Sequence, residues 1–304
     1  MPLLLGTRAS PLARWQAEWV ADGLRRQGVE VELVWISTSG DQDQGPVAAI
    51  GTAGIFTKEI QRALLQGRVD LAVHSLKDLT TEAVPGLCLA AVPERADPWD
   101  VLVSGEGIPL TELPPGARIG TGSLRRQAQL RHVRPDLQLA AVRGNIDTRL
   151  RKLDEGQFDA LVLAEAGLLR LRLESRITQV LPPEIVLPAV GQGALGLETR
   201  VDDQRTRAAL AVLDDVGTHA SVRAERALLA ALHGGCMAPV AAWGRAEAGR
   251  LVLTARVLSV DGARCLESTS QGAATEPELL GRQVAEVLLE QGAGELIATA
   301  RDGE

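Results

Sequence analysis

Gly67-Arg68-Val69-Asp70-Leu71-Ala72-Val73-His74 and Gly156-Gln157-Phe158-Asp159-Ala160-Leu161-Val162 set one pattern at two points of the chain. In each, a glycine stops a helical run, an aspartate follows three residues later, and a short apolar strand begins. Gly6-Thr7 and Gly120-Thr121 form a second such pair, each closing a strand and opening a helix. Outward from these points, residues 2–5 are apolar and run into Ser10-Pro11, where serine can cap a helix and proline can fill its first position. Helical spacing continues from Leu12 to Arg26, and Val29–Ile36 alternates as a strand. Ile55–Gln66 reads as a helix, Leu137–Val142 as a strand, and Asn145 as the cap of the helix after it. The strands of the second cycle are read from Ala117 onward. Duplicated strand, loop and helix units predict two similar α/β lobes with a cleft between them.

Two proline-rich stretches punctuate this pattern. Residues 93–98 form one crossing between lobes, and Leu181-Pro182-Pro183 with residues 187–193 form another. A second crossing sends the strand-like segment Ala194–Glu198 back to the first lobe. The expected fold is therefore α/β, with residues 1–93 and 194–212 as lobe 1 and 99–187 as lobe 2. Residues 216–304 read as a small α+β domain. Within it, Leu232-His233-Gly234-Gly235-Cys236-Met237-Ala238-Pro239 sets one thiol at a corner between a helix and a strand, where it can act as a nucleophile or an attachment point.

The formal charge of −7 argues against nucleic acid as the main partner, and only two Phe and no Tyr leave few platforms for stacking bases. From Arg118 to Arg176, however, eleven Arg and one Lys face seven acidic residues, a local excess of five positive charges. An acidic protein with a basic middle points to an anionic ligand held inside. No apolar run is long enough to span a membrane, and the start of the chain lacks the pattern of a secretory signal. Three widely spaced cysteines fit a reducing, cytoplasmic compartment, and four histidines without ligand spacing give no metal site.

The loops and helix starts that open between the lobes carry Arg8, Ser10, Lys77, Asp78, Thr121, Ser123, Arg125, Arg126, Arg143, Arg149 and Arg170. Guanidinium groups bind carboxylates in bidentate fashion, so this set calls for a ligand with several anionic groups. A carboxylate amid such cations is suited to stabilise a cationic intermediate.

Gly6-Thr7-Arg8-Ala9-Ser10-Pro11, His74-Ser75-Leu76-Lys77-Asp78, Gly120-Thr121-Gly122-Ser123-Leu124-Arg125-Arg126, Arg143-Gly144-Asn145, Leu187-Pro188-Ala189-Val190-Gly191-Gln192-Gly193 and Gly234-Gly235-Cys236 together resemble the porphobilinogen deaminase family, in order along nearly the whole chain. The resemblance implies two lobes like those of type II periplasmic binding proteins and a third domain bearing a cofactor cysteine. It implies a dipyrromethane cofactor joined to Cys236 by a thioether, and porphobilinogen as substrate, with four molecules deaminated and added head to tail before hydrolysis releases hydroxymethylbilane. It assigns Asp78 to the cation left by loss of ammonia. Carboxylates of cofactor and substrate fall to Arg8, Ser10, Lys77, Thr121, Ser123, Arg125, Arg126, Arg143, Arg149 and Arg170, with Gln16 and Gln192 as further polar contacts and Phe56 and Lys58 in a lid. A monomer is implied. Three positions depart from the family pattern: Ala53 where lysine is usual, Thr80 where proline is usual, and Gly122 where serine is common. A non-catalytic binding protein using the same cleft is the competing expectation; it gives Gly234-Gly235-Cys236 no purpose.

Overall fold

The computed structural model describes residues 1–37, 57–234 and 238–302. Lobe 1 is built from β1 (Leu3–Thr7), α1 (Pro11–Arg25), β2 (Val31–Trp35), α2 (Lys58–Leu65), β3 (Leu71–Ser75) and β4 (Leu87–Ala91). Lobe 2 contains β5 (Asp100–Ser104), β6 (Arg118–Gly120), α3 (Leu124–Val133), β7 (Gln138–Ala140), α4 (Ile146–Asp154), β8 (Ala160–Ala164), α5 (Glu165–Arg170) and β9 (Gln179–Leu181). The chain then returns through β10 (Leu195–Arg200) and α6 (Gln204–Leu210).

The two five-stranded sheets have matching layouts, β2-β1-β3-β10-β4 and β7-β6-β8-β5-β9. In each, three parallel strands are followed by an antiparallel one that has just crossed from the other lobe, β10 beside β3 and β5 beside β8. The fold is thus α/β with two wound lobes, and the strand after the second crossing enters the first lobe's sheet. Strand β5 lies upstream of Ala117, where the sequence reading begins the second cycle. Its apolar run is only Val101-Leu102-Val103, too short to stand out from the crossing it ends.

The repeated Gly-x-x-Asp performs one task twice. Gly67 and Gly156 take φ of 66° and 72°, which glycine adopts without a Cβ penalty, and the next residues close the preceding helices through Arg68 N to Ala63 O (2.9 Å) and Gln157 N to Lys152 O (3.0 Å). The Asp70 carboxylate then accepts from Leu4 N at 2.9 Å, and that of Asp159 from Arg118 N at 2.6 Å. Each aspartate therefore locks the middle one of its sheet's three parallel strands, β1 or β6, to the strand that follows the glycine. Ser10 caps α1, accepting from Ala13 N at 3.4 Å, and Ser123 caps α3. Asn145 occupies the cap position of α4 but makes no side-chain cap bond, a correction to its expected role.

The third domain packs α7 (Val216–Ala231), α8 (Pro277–Glu290) and α9 (Ala293–Asp302) against an antiparallel sheet of β11 (Val240–Glu247), β12 (Arg250–Leu258) and β13 (Cys265–Ala273). Alternation along β12 turns Leu251, Leu253, Ala255 and Val257 inward against Leu228, Val284 and Leu288. From α7, fully buried Glu225 reaches out of this core to the junction of all three units. It accepts from Arg95 Nη1 (2.6 Å) and Nη2 (3.3 Å) on the first crossing, Gly191 N (2.6 Å) on the second, and Gly244 N (2.8 Å) on β11. Removing that carboxylate leaves a nearly buried guanidinium and two amide groups without their acceptor. Glu225→Ala is expected to lose about 3–5 kcal/mol of stability. Denaturant titration reads this directly, and an unchanged midpoint would contradict the assignment.

Candidate functional site

Lys77 and Asp78 lie on a 3₁₀ turn, Leu76–Asp78, at the carboxyl end of β3, where open α/β sheets present their ligand sites. Buried Leu76 anchors the turn, and its N–H donates to Ala194 O across the second crossing (3.1 Å). This leaves Asp78 exposed toward a cleft of about 310 Å³ between the lobes. Arg8, Ser10 and Gln16 line it from lobe 1, and Arg126, Arg149 and Arg170 from lobe 2. Gln16 is held by donation to Ser75 Oγ (2.8 Å). Arg149 Nε donates to Gly144 O (2.8 Å), while Arg170 donates to Gly193 O (2.6 Å) and lies 5.6 Å from the Trp15 ring centroid.

Beneath the cleft, fully buried Asp100 collects donors from three side chains. Arg125 Nη1 lies at 2.7 Å, Arg126 Nε and Nη2 at 2.9 and 2.7 Å, and Gln192 Nε2 at 2.9 Å. Burial alone would raise the Asp100 pKa, but the charges of Arg125 and Arg126 outweigh it and hold the carboxyl well below its usual range. Lys77 stands beside this cluster, its Nζ 3.5 Å from Gln192 Oε1. Burial first, and then Arg126, lower its pKa to about 8, against the opposing pull of Asp78 and Asp100. Burial likewise brings Arg149 and Arg170 to about 10, with Arg126 adding to the effect at Arg149. Among the described residues, Asp78 and Asp147 are the acidic side chains lining the cleft, against five cationic ones. An anionic ligand would relieve this crowding of positive charge.

A second chamber of about 740 Å³ adjoins the cleft and is lined by Ser123, Arg125 and Gln192. The expected site residues do not all face these spaces. Thr121 is fully buried and builds the turn, accepting from Ser123 N (3.3 Å) on Oγ1 and from Gln127 Nε2 (2.9 Å) on its carbonyl. Arg143 and Lys58 are exposed and line neither cavity. Arg125 and Arg126 are engaged by Asp100, a partner absent from the sequence reading; its only signal there is a charge at the head of an apolar run. Cys236, Phe56 and Ala53 lie outside the described residues. At Gly122 a Cβ would stand 3.1 Å from Val142 O, so serine at this position would press on that carbonyl.

Fold and site define a two-lobed α/β protein with a cation-lined interlobe cleft suited to an anion and a third domain packed against both crossings between the lobes. Residues 3–208 match the family model "Porphobilinogen deaminase, dipyromethane cofactor binding domain", and residues 219–290 match "Porphobilinogen deaminase, C-terminal domain". The porphobilinogen deaminase of Desulforudis audaxviator is 52% identical over 304 residues, covering 99% of this chain and 98% of that protein. The one from Geobacter metallireducens is 49% identical over 299 residues, covering 97% and 94%. Among solved structures, a periplasmic substrate-binding protein of an ABC transporter from Coxiella burnetii aligns over 69% of this chain and 91% of its own, at 19% identity and a TM-score of 0.43. The chain belongs to the porphobilinogen deaminase family.

The lowered pKa of Lys77 gives a pH signature. Its ammonium is present below about 8 and lost above it, so affinity for an anionic ligand should fall as pH rises through that value. Isothermal titration with porphobilinogen in the parent and in Lys77→Gln tests this. The variant should bind more weakly at pH 7 and lack the alkaline decline; an identical decline in both would assign it to another group.

Proposed function

We propose that this chain catalyses the stepwise head-to-tail condensation of four porphobilinogen molecules with loss of ammonia, and releases hydroxymethylbilane by hydrolysis. The observation that carries the reading is one exposed carboxylate, Asp78, set beside Lys77 in a cleft lined by Arg8, Arg126, Arg149 and Arg170. Family membership supplies the reaction, and this arrangement supplies groups suited to it.

The donor set fits a dipyrromethane cofactor, whose acetate and propionate groups need several cations within one enclosed space. Arg125 Nε is buried without a hydrogen-bond partner among the described residues, beside the second chamber, a donor of the kind such a carboxylate would use. Lys77, Ser123, Arg125 and Arg126 would hold the cofactor, attached through Cys236. When bound, it supplies the primer to which pyrrole units are joined.

The chain's own residues then divide the work. Arg8, Ser10, Arg149 and Arg170 orient the incoming substrate through its carboxylates, while Gln16 and Gln192 fix the surrounding loops. Asp78 faces the positive charge that develops as ammonia departs and accepts from the pyrrole N–H. Its worth is greatest because the nearby cations are held by Asp100 and by backbone carbonyls, so the carboxylate is not neutralised by a direct ion pair within hydrogen-bonding range among the described residues. The free, half-buried thiols of Cys88 and Cys265 fit a cytoplasmic setting.

Asp78→Ala, at an exposed position, should keep the parent's melting temperature and lower hydroxymethylbilane formation by about 10³-fold. Near-parental output would remove Asp78 from the reaction. Intact-protein mass tests the attachment: the parent should carry the dipyrromethane increment and Cys236→Ser should lack it, whereas an unmodified parent from cells making porphobilinogen would refute the reading.

A further inference from the structure

Among the described residues, no group hydrogen-bonds to the Asp78 carboxylate or pairs with it at short range. Its place in the cleft is therefore set by the backbone of its turn. A carboxylate that stabilises a developing cation must stand within about 3 Å of the charge. A displacement of about 1 Å in such a site can cost about a hundredfold in rate. The turn itself closes through Leu79 N to Leu76 O (3.1 Å) and rests on Ala194 O through Leu76 N. Two further ties grip the chain on either side of it, and both lead to one residue of β10.

That residue is Glu198, 5% exposed, which the strand register pairs with Ala72 and so sets diagonally from His74 on β3. Its oxygens take donors from two separate elements. Gln61 Nε2 on α2 donates to Oε1 (3.0 Å), and His74 Nε2 lies 3.0 Å from Oε2. A carboxylate only accepts, so the imidazole is the donor in the second bond. His74 is itself buried and stands four positions before Asp78. Beyond the turn, Arg226 on α7 donates to Leu79 O (3.0 Å) and Thr80 O (2.7 Å). Burial lowers the Arg226 pKa and the charge of Glu198 opposes that, so the same carboxylate attracts this guanidinium across the boundary between lobe 1 and the third domain. A buried ion pair is a weak source of stability, since apolar side chains of similar volume often serve as well. What the charge at position 198 adds is direction.

We propose that Glu198 is a positioning residue for the loss of ammonia: through His74 before the turn and Arg226 after it, Glu198 fixes where the Asp78 carboxylate stands in the cleft. The inference rests on the function proposed above.

Steady-state turnover of porphobilinogen by isolated holoenzymes tests it, at a temperature where circular dichroism shows each variant folded. Glu198→Gln keeps the shape and removes the charge, and His74→Leu removes the donor. Each should lower kcat about ten- to a hundredfold. KM should stay within about twofold of the parent, because the arginines that meet the substrate's carboxylates are untouched. His74→Gln, whose Nε2 can reach the place of the ring donor, should restore most of the parent's kcat. If Glu198→Gln does not fold, the two His74 variants decide alone. Parental kcat in Glu198→Gln and His74→Leu, or a raised KM at parental kcat, would overturn the positioning role. So would a His74→Gln as slow as His74→Leu, which would make the imidazole itself the working group. In each of these cases the parent's own turnover upholds the function, whereas a parent that leaves porphobilinogen unchanged would sink the function as well.

Discussion

Asp100 is the residue on which the site depends. One carboxylate without solvent exposure receives Arg125, Arg126 and Gln192, and so fixes the start of α3 and the second crossing at the head of β5. Burying such a cluster costs several kcal/mol per ion unless geometry and hydrogen bonds are nearly complete. Here most are made: Arg125 also donates to Leu187 O at 2.6 Å and Arg126 to Val162 O at 2.9 Å, and Arg125 Nε alone of this cluster lacks a partner among the described residues. Two guanidinium groups around one carboxylate still leave net positive charge under the cleft. The pKa of Lys77, lowered first by its own burial, is lowered further by Arg126 of this cluster.

The third domain takes part in the same construction. Glu225 ties it to both crossings, and Arg226 ties it to the loop after Asp78 in lobe 1. On the other side, Arg131 donates to Val260 O (2.7 Å) and the His132 ring to Gly262 O (2.8 Å), joining α3 of lobe 2 to the β12–β13 turn. Gln129 bridges both polar groups of Leu187 on the second crossing and accepts from Arg256 on β12 (2.9 Å). Both lobes are therefore fastened to one body. The separation across the cleft is set by that body as much as by contacts between the lobes.

Much of the fold was legible because local chemistry and tertiary role coincide. The Gly-x-x-Asp repeat reads as a helix stop followed by a strand, and the structure adds that each aspartate fastens the neighbouring strand. The cap at Ser10, the two proline-rich crossings and the return of β10 follow from short-range preferences. The features that local pattern does not reveal are short or dual in character. β5 contributes three apolar residues to its own pattern, and Asn145 stands at a helix start without using its side chain.

The sequence by itself determined two α/β units and a third, a basic middle within an acidic chain, and a lysine–aspartate pair at a strand end, since these rest on periodicity, charge and turn chemistry within a few residues. Only the tertiary structure decided which arginines line the cavities and what each of them touches. It turned Arg125 and Arg126 toward Asp100, left Arg143 outside both cavities and brought Arg301 to the chamber wall, from 65 positions along the chain beyond Cys236. A guanidinium carries the same charge wherever it stands. Its role depends on which carboxylate lies within about 3 Å, and that distance is set by folding between segments far apart in sequence.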